Sequence, residues 1–292
     1  MLDFFQSASD GILFGATYAL IGIGFTLVFG VMHKLNLSYA AASVGGAYCG
    51  LLVLKLFAGA PALVVFFCAF LAGGVLGYVV YLACFHFIPI SNPLATLMAT
   101  VGMLLLIDEI IVHQTDGMPL NYPAMFEDVM LRAGEFTLRG DLLMVFAVSI
   151  ACMAALLALL YRTRLGLATR AVSQQAVAAQ LCGIRVGRVN ALTFVVTGLL
   201  GGIAGAMVGA SVGTLSPLLT TPLTVKGLIV TVIGGLGSIP GAIVAGLLVG
   251  GFESVLQQFR GVTERDLYVM LLLFVFLVFR PGGLFAAKGG RD

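Results

Sequence analysis

Charged residues are scarce in this sequence. Lysine, arginine, aspartate and glutamate make up 10% of the 292 residues, 60% of the residues are hydrophobic, and the mean hydropathy is +1.11. A soluble globular chain carries roughly 25% charged residues, so this chain has too little polar surface to cover a core in water. The composition predicts an all-α integral membrane protein, in which each helical span needs about 20 apolar residues.

Motifs for catalysis, metal binding and nucleotide binding are also missing. The sequence contains no G-x-x-x-x-G-K-[ST] phosphate-binding pattern. The glycine-rich run 234–241 has Pro240 where a dinucleotide fingerprint needs its last glycine. His33, His86 and His113 lie far apart along the chain. We therefore expect no catalytic residues, no metal ligands and no cofactor in this chain.

Cysteine usage and the distribution of charge exclude further classes. The five cysteines include no C-x-x-C pair, and four of them lie in apolar segments, where cysteine behaves as a small hydrophobe. Basic residues cluster in one loop between spans, so a nucleic-acid partner is not expected. No basic residue precedes the first apolar run, so a cleavable signal peptide is not expected either.

Apolar segments follow one another along the whole chain. They lie at approximately 11–32, 37–57, 61–87, 94–113, 141–161, 190–213, 225–236, 240–257 and 266–280. Because 225–236 and 240–257 are short and separated by glycines, they are either two spans or one broken or re-entrant segment near 225–257. The sequence predicts one membrane domain, 1–292, built as a bundle of about 8–9 transmembrane helices.

The loop at about 162–189 is the most basic part of the sequence. It contains no acid and five arginines, which are Arg162, Arg164, Arg170, Arg185 and Arg188. The longest other loop, 114–140, is acidic on balance. The positive-inside rule places the arginine-rich loop in the cytoplasm. Counting spans from it places the N-terminus outside and the C-terminus in the cytoplasm.

The same loop carries a pattern that is known from transport proteins. Segment 170–189 reads RAVSQQAVAAQLCGIRVGRV, with an Arg-Ala pair, a run of small residues, Gly-Ile, and Arg-Val entering the next span. This pattern resembles the coupling loop of membrane permeases in ATP-driven branched-chain amino acid uptake systems. Stretches 93–102, 226–242 and 280–285 are similar to further segments of that family, in the same order.

The resemblance implies a multi-subunit importer in the bacterial inner membrane. The expected partners are a second, related permease subunit in a heterodimer, two cytoplasmic ATP-binding subunits that hold ATP and Mg, a periplasmic solute-binding protein, and the lipid bilayer. The residues expected to couple the chain to the ATPases are Arg170, Ala171, Gln174, Gln175, Ala178, Ala179, Gly183 and Arg185.

Two departures from the family pattern affect recognition. Gln174 and Gln175 stand where family members commonly carry acids, so docking would depend on shape and the flanking arginines. Near Asn36, the family's His-Gly-Glu portion is replaced by Tyr-Ala-Ala at 39–41. The solute therefore stays open among branched-chain or other neutral amino acids, amides, urea and aromatic acids.

Uncharged polar residues and glycines are the candidates for a solute path. Hydroxyls and amides suit transient passage of a zwitterion, although serine and threonine also bond back to carbonyls of their own helix. A broken helix would expose backbone groups. The candidates are Asn36, Ser38, Tyr39, Ser43, Thr96, Thr100, Gly234, Gly235 and Gly237.

Ionisable residues in apolar segments are costly and usually functional. Asp108, Glu109 and Glu253 are expected near the outer interface, or else lining a solute path. Lys226 is expected to be an interfacial anchor or a contact for a carboxylate. Because no acid is placed securely at mid-membrane, a secondary transporter or channel is the second hypothesis, and a membrane scaffold is the third.

Small residues also recur along one predicted span. Gly201, Gly205, Gly209 and Gly213 are spaced every four residues and form one ridge of a helix. Small residues allow helix backbones to approach closely within a membrane. The ridge predicts either tight packing inside the chain or a gliding interface in a moving pore.

Overall fold

The described part of the chain is almost entirely helical. The computed structural model describes residues 2–57, 61–88, 93–123, 130–133, 136–280 and 282–285. Its helices are α1 (Leu2–Met32), α2 (Tyr39–Leu56), α3 (Ala62–Tyr81), α4 (Pro93–Thr115), α5 (Gly140–Arg162), α6 (Arg164–Gln174), α7 (Ala176–Leu181), α8 (Val186–Val212), α9 (Thr220–Gly234), α10 (Ile239–Arg260) and α11 (Val262–Phe279). A π-helical turn, Leu82–His86, continues α3, and a 3₁₀ turn, Pro217–Leu219, precedes α9.

Short strands join some of the loops. Strand β1 (Leu120–Asn121) pairs antiparallel with β4 (Thr214–Leu215), and β2 (Met130–Ala133) pairs antiparallel with β3 (Phe136–Arg139). Most of the acidic residues of loop 114–140 lie at 124–129 and 134–135, outside the described residues.

The helices have the length and composition of membrane spans. Within the part of the chain that the structure describes, seven helices are long and apolar enough to cross a bilayer. Helix α2 has a shorter apolar stretch, and α11 carries three charges near its start, at 264–266. The predicted all-α polytopic membrane architecture is confirmed.

Contacts between loops show that the helices run between two common ends. At one end, which we call the arginine end because it carries α6 and α7, Gly30 of α1 lies against Gly237. There too the Tyr81 hydroxyl donates to the Gly187 carbonyl at 3.0 Å. At the opposite end, β1 pairs with β4, and the Tyr48 hydroxyl donates to the Leu215 carbonyl at 2.7 Å. Successive long helices therefore alternate in direction.

Glycines allow the central helices to pack with their backbones almost touching. A Cβ atom on Gly202 of α8 would lie 2.1 Å from the Ala69 carbonyl oxygen of α3. One on Gly15 of α1 would lie 2.7 Å from the Gly246 carbonyl oxygen of α10. Helices in lipid associate by such close approach, because burying apolar surface brings no gain there.

The predicted glycine ridge of α8 packs inside the chain. Gly201 and Gly205 lie against Ser43 of α2, and Gly209 lies against the Tyr122 ring. Gly213 differs from the others, because it ends α8 with a φ of +78° and a Cβ there would meet nothing within 4 Å. The contacts of Gly201, Gly205 and Gly209 therefore support tight packing inside the chain, and Gly213 makes no such contact.

The break near 225–257 is a turn between two antiparallel helices, and this corrects the expectation of a re-entrant segment. Helix α9 ends at Gly234, α10 begins at Ile239, and the turn lies at the arginine end beside Gly30. The Leu284 amide donates to the Ile233 carbonyl at 2.8 Å, and the Phe285 amide donates to the Gly234 carbonyl at 3.3 Å. The C-terminal segment therefore satisfies the carbonyls that a broken helix was expected to expose.

Candidate functional site

A tight turn holds α6 against the end of α5. The Thr163 hydroxyl donates to the Leu159 carbonyl at 2.6 Å and accepts from the Gly166 amide at 3.2 Å. A Cβ on Gly166 would lie 2.2 Å from the Leu160 carbonyl oxygen, so only glycine fits there without displacement. The first turn of the arginine-rich loop is thus fixed to the membrane helix before it.

A second turn separates α6 from the short helix α7. Gln175 is extended, with φ −157° and ψ 105°, and the chain turns again at Gly183, whose φ is +84°. The Cys182 amide donates to the Ala178 carbonyl at 3.1 Å, and the Ile184 amide donates to the Ala179 carbonyl at 3.0 Å. These bonds satisfy carbonyls that a helix end otherwise leaves unpaired.

Not all of the predicted coupling residues of α6, α7 and the following turn lie on the surface. Arg170, Gln174, Gln175, Ala178, Gly183 and Arg185 are exposed, as docking requires. Ala171 is half-buried, and Ala179 is only 5% exposed because it packs into the hydrophobic core. Ala179 therefore offers little surface to a partner in this structure, and its coupling role stays a prediction.

Sequence reasoning missed two apolar side chains on the same helix. Val177 is 68% exposed and Leu181 is 86% exposed. Residues four apart share one helix face, and apolar residues at that spacing in a polar loop were the available signal. We call the exposed set Gln174, Gln175, Val177, Ala178 and Leu181 the α7 surface.

A cavity of about 240 Å³ with a mixed polar and apolar lining lies between α6 and the bundle. Its lining includes Thr26 of α1, Tyr161 of α5, Arg170 and Ser173 of α6, and Gly237 of the α9–α10 turn. The Arg170 guanidinium carbon lies 5.2 Å from the Tyr161 ring centroid, a cation–π distance. Gly237, predicted for a solute path, and the predicted coupling residue Arg170 therefore line the same cavity.

The predicted polar path residues of α2 and α4 are buried within the chain. Ser43 donates to the Tyr39 carbonyl at 2.8 Å, and Thr100 donates to the Leu97 carbonyl at 2.8 Å, so both bond to their own helix. Ser38 donates to the Asn36 side-chain oxygen at 2.7 Å.

Thr96 differs, because it accepts a 2.9 Å hydrogen bond from the Lys34 ammonium. The lining of the 240 Å³ cavity contains none of Asn36, Ser38, Tyr39, Ser43, Thr96 and Thr100. Their role in a solute path stays a prediction.

Of the acids that the sequence placed at the outer interface, two lie on α4. Asp108 is half-buried there, and Glu109 is exposed. Glu253 differs, because it is only 4% exposed, as Lys226 is at 8%. These two residues belong to a charged cluster inside the bundle, which corrects the expectation of an interfacial acid and an interfacial anchor.

The charged cluster joins four helices. The Lys226 ammonium of α9 lies 2.6 Å from Glu253 Oε1 of α10 and donates to the Tyr18 hydroxyl of α1 at 3.1 Å. Tyr18 in turn donates to Glu253 Oε1 at 3.2 Å. From α11, Arg265 Nε lies 3.1 Å from Glu253 Oε1, and Asp266 Oδ1 lies 3.6 Å from the Lys226 ammonium.

The cluster carries two positive and two negative groups, so its formal charge is zero. Removing one partner of a buried ion pair generally costs about 3–5 kcal/mol, because the other charge is left uncompensated. Tyr18, Arg265 and Asp266 were not predicted from the sequence. In the sequence, Tyr18 lies 208 positions from Lys226 and 235 positions from Glu253. No local pattern predicts a contact over such a separation.

Comparison with known proteins identifies one family. The family model described as "Branched-chain amino acid transport system / permease component" matches residues 7–279. The chain is 28% identical to the high-affinity branched-chain amino acid transport system permease protein BraD of Pseudomonas aeruginosa, over 96% of this chain and 95% of that protein. It is 26% identical to the corresponding permease protein LivH of Escherichia coli K12, over 97% of this chain and 96% of that protein.

A solved structure shares the fold. It is described as PsaBC from Streptococcus pneumoniae in complex with Fab, and it matches with a TM-score of 0.50 and 13% identity, over 94% of this chain and 89% of that one. At this identity, the likeness concerns the arrangement of helices alone.

Proposed function

Because this chain belongs to the family of permease components of branched-chain amino acid transport systems, we propose that it is the membrane-spanning permease subunit of an ATP-driven importer for branched-chain or related neutral amino acids. The observation that carries the proposal is the family match over residues 7–279. The curated relatives are named as transport permeases and not as enzymes. The proposed role is therefore solute passage, with ATP hydrolysis in other subunits.

The proposed assembly supplies what this chain lacks. Two cytoplasmic subunits bind ATP and Mg, a second related permease completes the membrane part, and a periplasmic protein delivers the solute. Because the sequence has no phosphate-binding motif, the free energy for uptake comes from the ATP-binding subunits. The chain itself acts as one permease domain in the bacterial inner membrane.

The arginine end faces the cytoplasm in this proposal. Five arginines without an acid at 162–189 support that orientation under the positive-inside rule. The N-terminus of α1 and strands β1 and β4 then face the periplasm, where a solute-binding protein docks. The C-terminal segment that bonds to Ile233 and Gly234 is cytoplasmic.

The α7 surface is the proposed contact for one ATP-binding subunit. Val177 and Leu181 give it an apolar centre, and Gln174 and Gln175 give it an uncharged polar edge. Aliphatic anchors with a polar rim are typical of protein interfaces. Because these residues carry no charge, shape decides docking, and the flanking arginines add long-range attraction.

Motion of the α7 surface has a physical route into the bundle. Helix α6 packs on the end of α5 through the Thr163–Gly166 turn, and its Arg170 and Ser173 line the same cavity as Thr26 and Gly237. A push on α7 is therefore transmitted to α5, α1 and the α9–α10 turn together. Packed helices transmit such movement because their interiors have low compressibility.

The experiment enlarges one side chain on the α7 surface. Ala178→Trp should abolish solute-stimulated ATP hydrolysis and uptake by the reconstituted complex, because a bulky ring lifts α7 from its partner. Ala155→Trp is the matched control, since Ala155 is exposed on the spanning helix α5, and it should retain both activities. Unchanged stimulation in Ala178→Trp would contradict the coupling role.

A second readout separates this proposal from a gradient-driven carrier. The permease purified without ATP-binding subunits should show no leucine uptake into proteoliposomes under an imposed ion gradient. Robust uptake by the chain alone would replace the proposal with secondary transport. Failure of a pull-down from membranes to retrieve any ATP-hydrolysing subunit would also count against it.

A further inference from the structure

A small groove opens beside the charged cluster, between α9 and α11. It has a volume of about 160 Å³. Val225, Ile229, Val269 and Met270 form an aliphatic wall, and Lys226 and Asp266 contribute charge at the same place. A cavity of about 150 Å³ in another protein accepts benzene, so this groove has the size for one small molecule.

Lys226 and Asp266 have unused bonding capacity in the groove. An ammonium group carries three N–H donors, and Lys226 uses one toward Glu253 and one toward Tyr18. Asp266 Oδ1 lies 3.6 Å from the ammonium, which is an ion-pair distance longer than a hydrogen bond, so a closer acceptor can take the third N–H. The Asp266 side chain is 51% exposed, and its ion pairs with Lys226 and Arg265 both involve Oδ1, so Oδ2 can take a ligand.

We propose that this groove binds an α-amino acid, with the ligand carboxylate on the Lys226 ammonium, the ligand ammonium on the Asp266 carboxylate, and an aliphatic side chain against Val225, Ile229 and Val269. The inference rests on the proposed function, because it identifies a station for the solute inside the permease. It differs from the uncharged residues that the sequence suggested for the path.

Charge balance favours a zwitterion over an acid or an amine. The cluster of Lys226, Arg265, Glu253 and Asp266 is neutral before binding, and a zwitterion leaves it neutral. An anion or a cation would leave one uncompensated charge next to Lys226 and Glu253, which are both buried, and this is strongly unfavourable. The site selects for both charged groups of the ligand together.

The groove is placed so that a solute can reach it from the end of the bundle that carries β1 and β4, opposite the arginine end. Lys226 lies six residues after Thr220, where α9 begins, and so about 9 Å along a helix of 15 residues. Asp266 lies four residues after the start of α11 at Val262. The groove is thus in the outer half of the bundle when the arginine end is cytoplasmic.

The test measures L-leucine binding to the purified complex in lipid nanodiscs, without the solute-binding protein. Leucine should bind, whereas 3-methylbutylamine, which lacks the carboxylate, and 4-methylpentanoate, which lacks the amine, should each bind at least about tenfold more weakly, as loss of one charged hydrogen bond implies. Equal binding of the three ligands, or no leucine binding, would overturn the proposal.

Paired variants assign the binding to this groove. Asp266→Asn should weaken leucine binding by about tenfold, whereas Glu264→Gln removes another exposed acid outside the groove and should have no effect. Met270→Trp should block the groove, and Leu271→Trp, which changes an exposed neighbour outside its lining, should not.

The outcomes also distinguish the two proposals. If ATP-driven leucine uptake by the wild-type complex is intact and Asp266→Asn and Met270→Trp match their controls, the groove is not a solute site and the importer function stands. If the wild-type complex binds leucine but ATP drives no uptake, the proposed function fails and the groove remains a binding site.

Discussion

At the scale of single residues, one hydroxyl can connect two elements or serve only its own helix. Thr96 and Thr100 lie one turn apart on α4 and are both buried, at 1% and 0% exposure. Thr96 accepts from the half-buried Lys34 ammonium of the α1–α2 loop, whereas Thr100 bonds to the carbonyl of Leu97. The first bond ties a loop to a helix, and the second adds little to tertiary structure.

This difference predicts unequal effects of the same substitution. Thr96→Val should destabilise the protein by about 1–3 kcal/mol, because a hydrogen bond to a charged group is lost and its donor stays half-buried. Thr100→Val should change stability by much less, since its helix carbonyl keeps its backbone bond. The measurement is thermal unfolding of the purified protein in detergent. Equal losses of Tm would refute the assigned partners.

The role of a polar residue was harder to predict from the sequence than its presence. Ser43, Thr96 and Thr100 stand out in the sequence as polar residues among apolar neighbours, and the structure buries all three. Their hydrogen-bond partners were not predictable, since Lys34 is 62 positions from Thr96. Lys226 shows the same limit, because its partners lie on three other helices.

At the scale of elements, the contact between α3 and α8 depends on glycine more than on any side chain. Gly73 and Gly198 face each other, and a Cβ on either would lie 2.4 Å from the other's carbonyl oxygen. Gly202 meets Ala69 in the same way, at 2.1 Å. The atoms that would be displaced are backbone atoms, so the two helices would have to separate.

We therefore expect Gly202→Ala to destabilise the bundle by about 1–3 kcal/mol, the usual cost of overpacking a tight core. The matched control is Gly102→Ala on α4, where a Cβ would meet nothing within 4 Å. This control should be neutral or stabilise by up to about 1 kcal/mol, because alanine favours helix more than glycine does. Size-exclusion thermostability assays in detergent measure the stability of the two variants. A Gly202→Ala protein as stable as the Gly102→Ala control would contradict the close approach of α3 and α8.

The bounds of the spans were predicted closely, and their pairing was not. Apolar segments 141–161 and 190–213 correspond to α5 and α8, whose structural bounds are Gly140–Arg162 and Val186–Val212. The segment near 225–257 was ambiguous because glycines interrupt both re-entrant segments and turns. The contact between Gly237 and Gly30 of α1 shows that the segment is a turn. This contact could not be predicted from the sequence, because the two glycines are about 200 positions apart.

At the scale of the whole molecule, loops gather at two ends, and this arrangement yields a labelling prediction. Cys182 at the end of α7 is exposed, so a membrane-impermeant maleimide should label it in permeabilised cells and not in intact ones. In a Cys182→Ser background, Leu218→Cys, whose native side chain is 77% exposed, should be labelled in intact cells. Labelling of Cys182 from outside would reverse the proposed orientation.

The sequence alone determined the solvent, the class of fold and the family of this protein. These follow from local quantities, because hydropathy, loop charge and short motifs are properties of neighbouring residues. Tertiary structure decided which glycines meet, which face of α7 is free, and that Lys226, Glu253, Arg265 and Asp266 form one neutral cluster beside a groove. Those features depend on how helices that are separate along the chain are placed side by side, and a linear pattern carries no record of that placement.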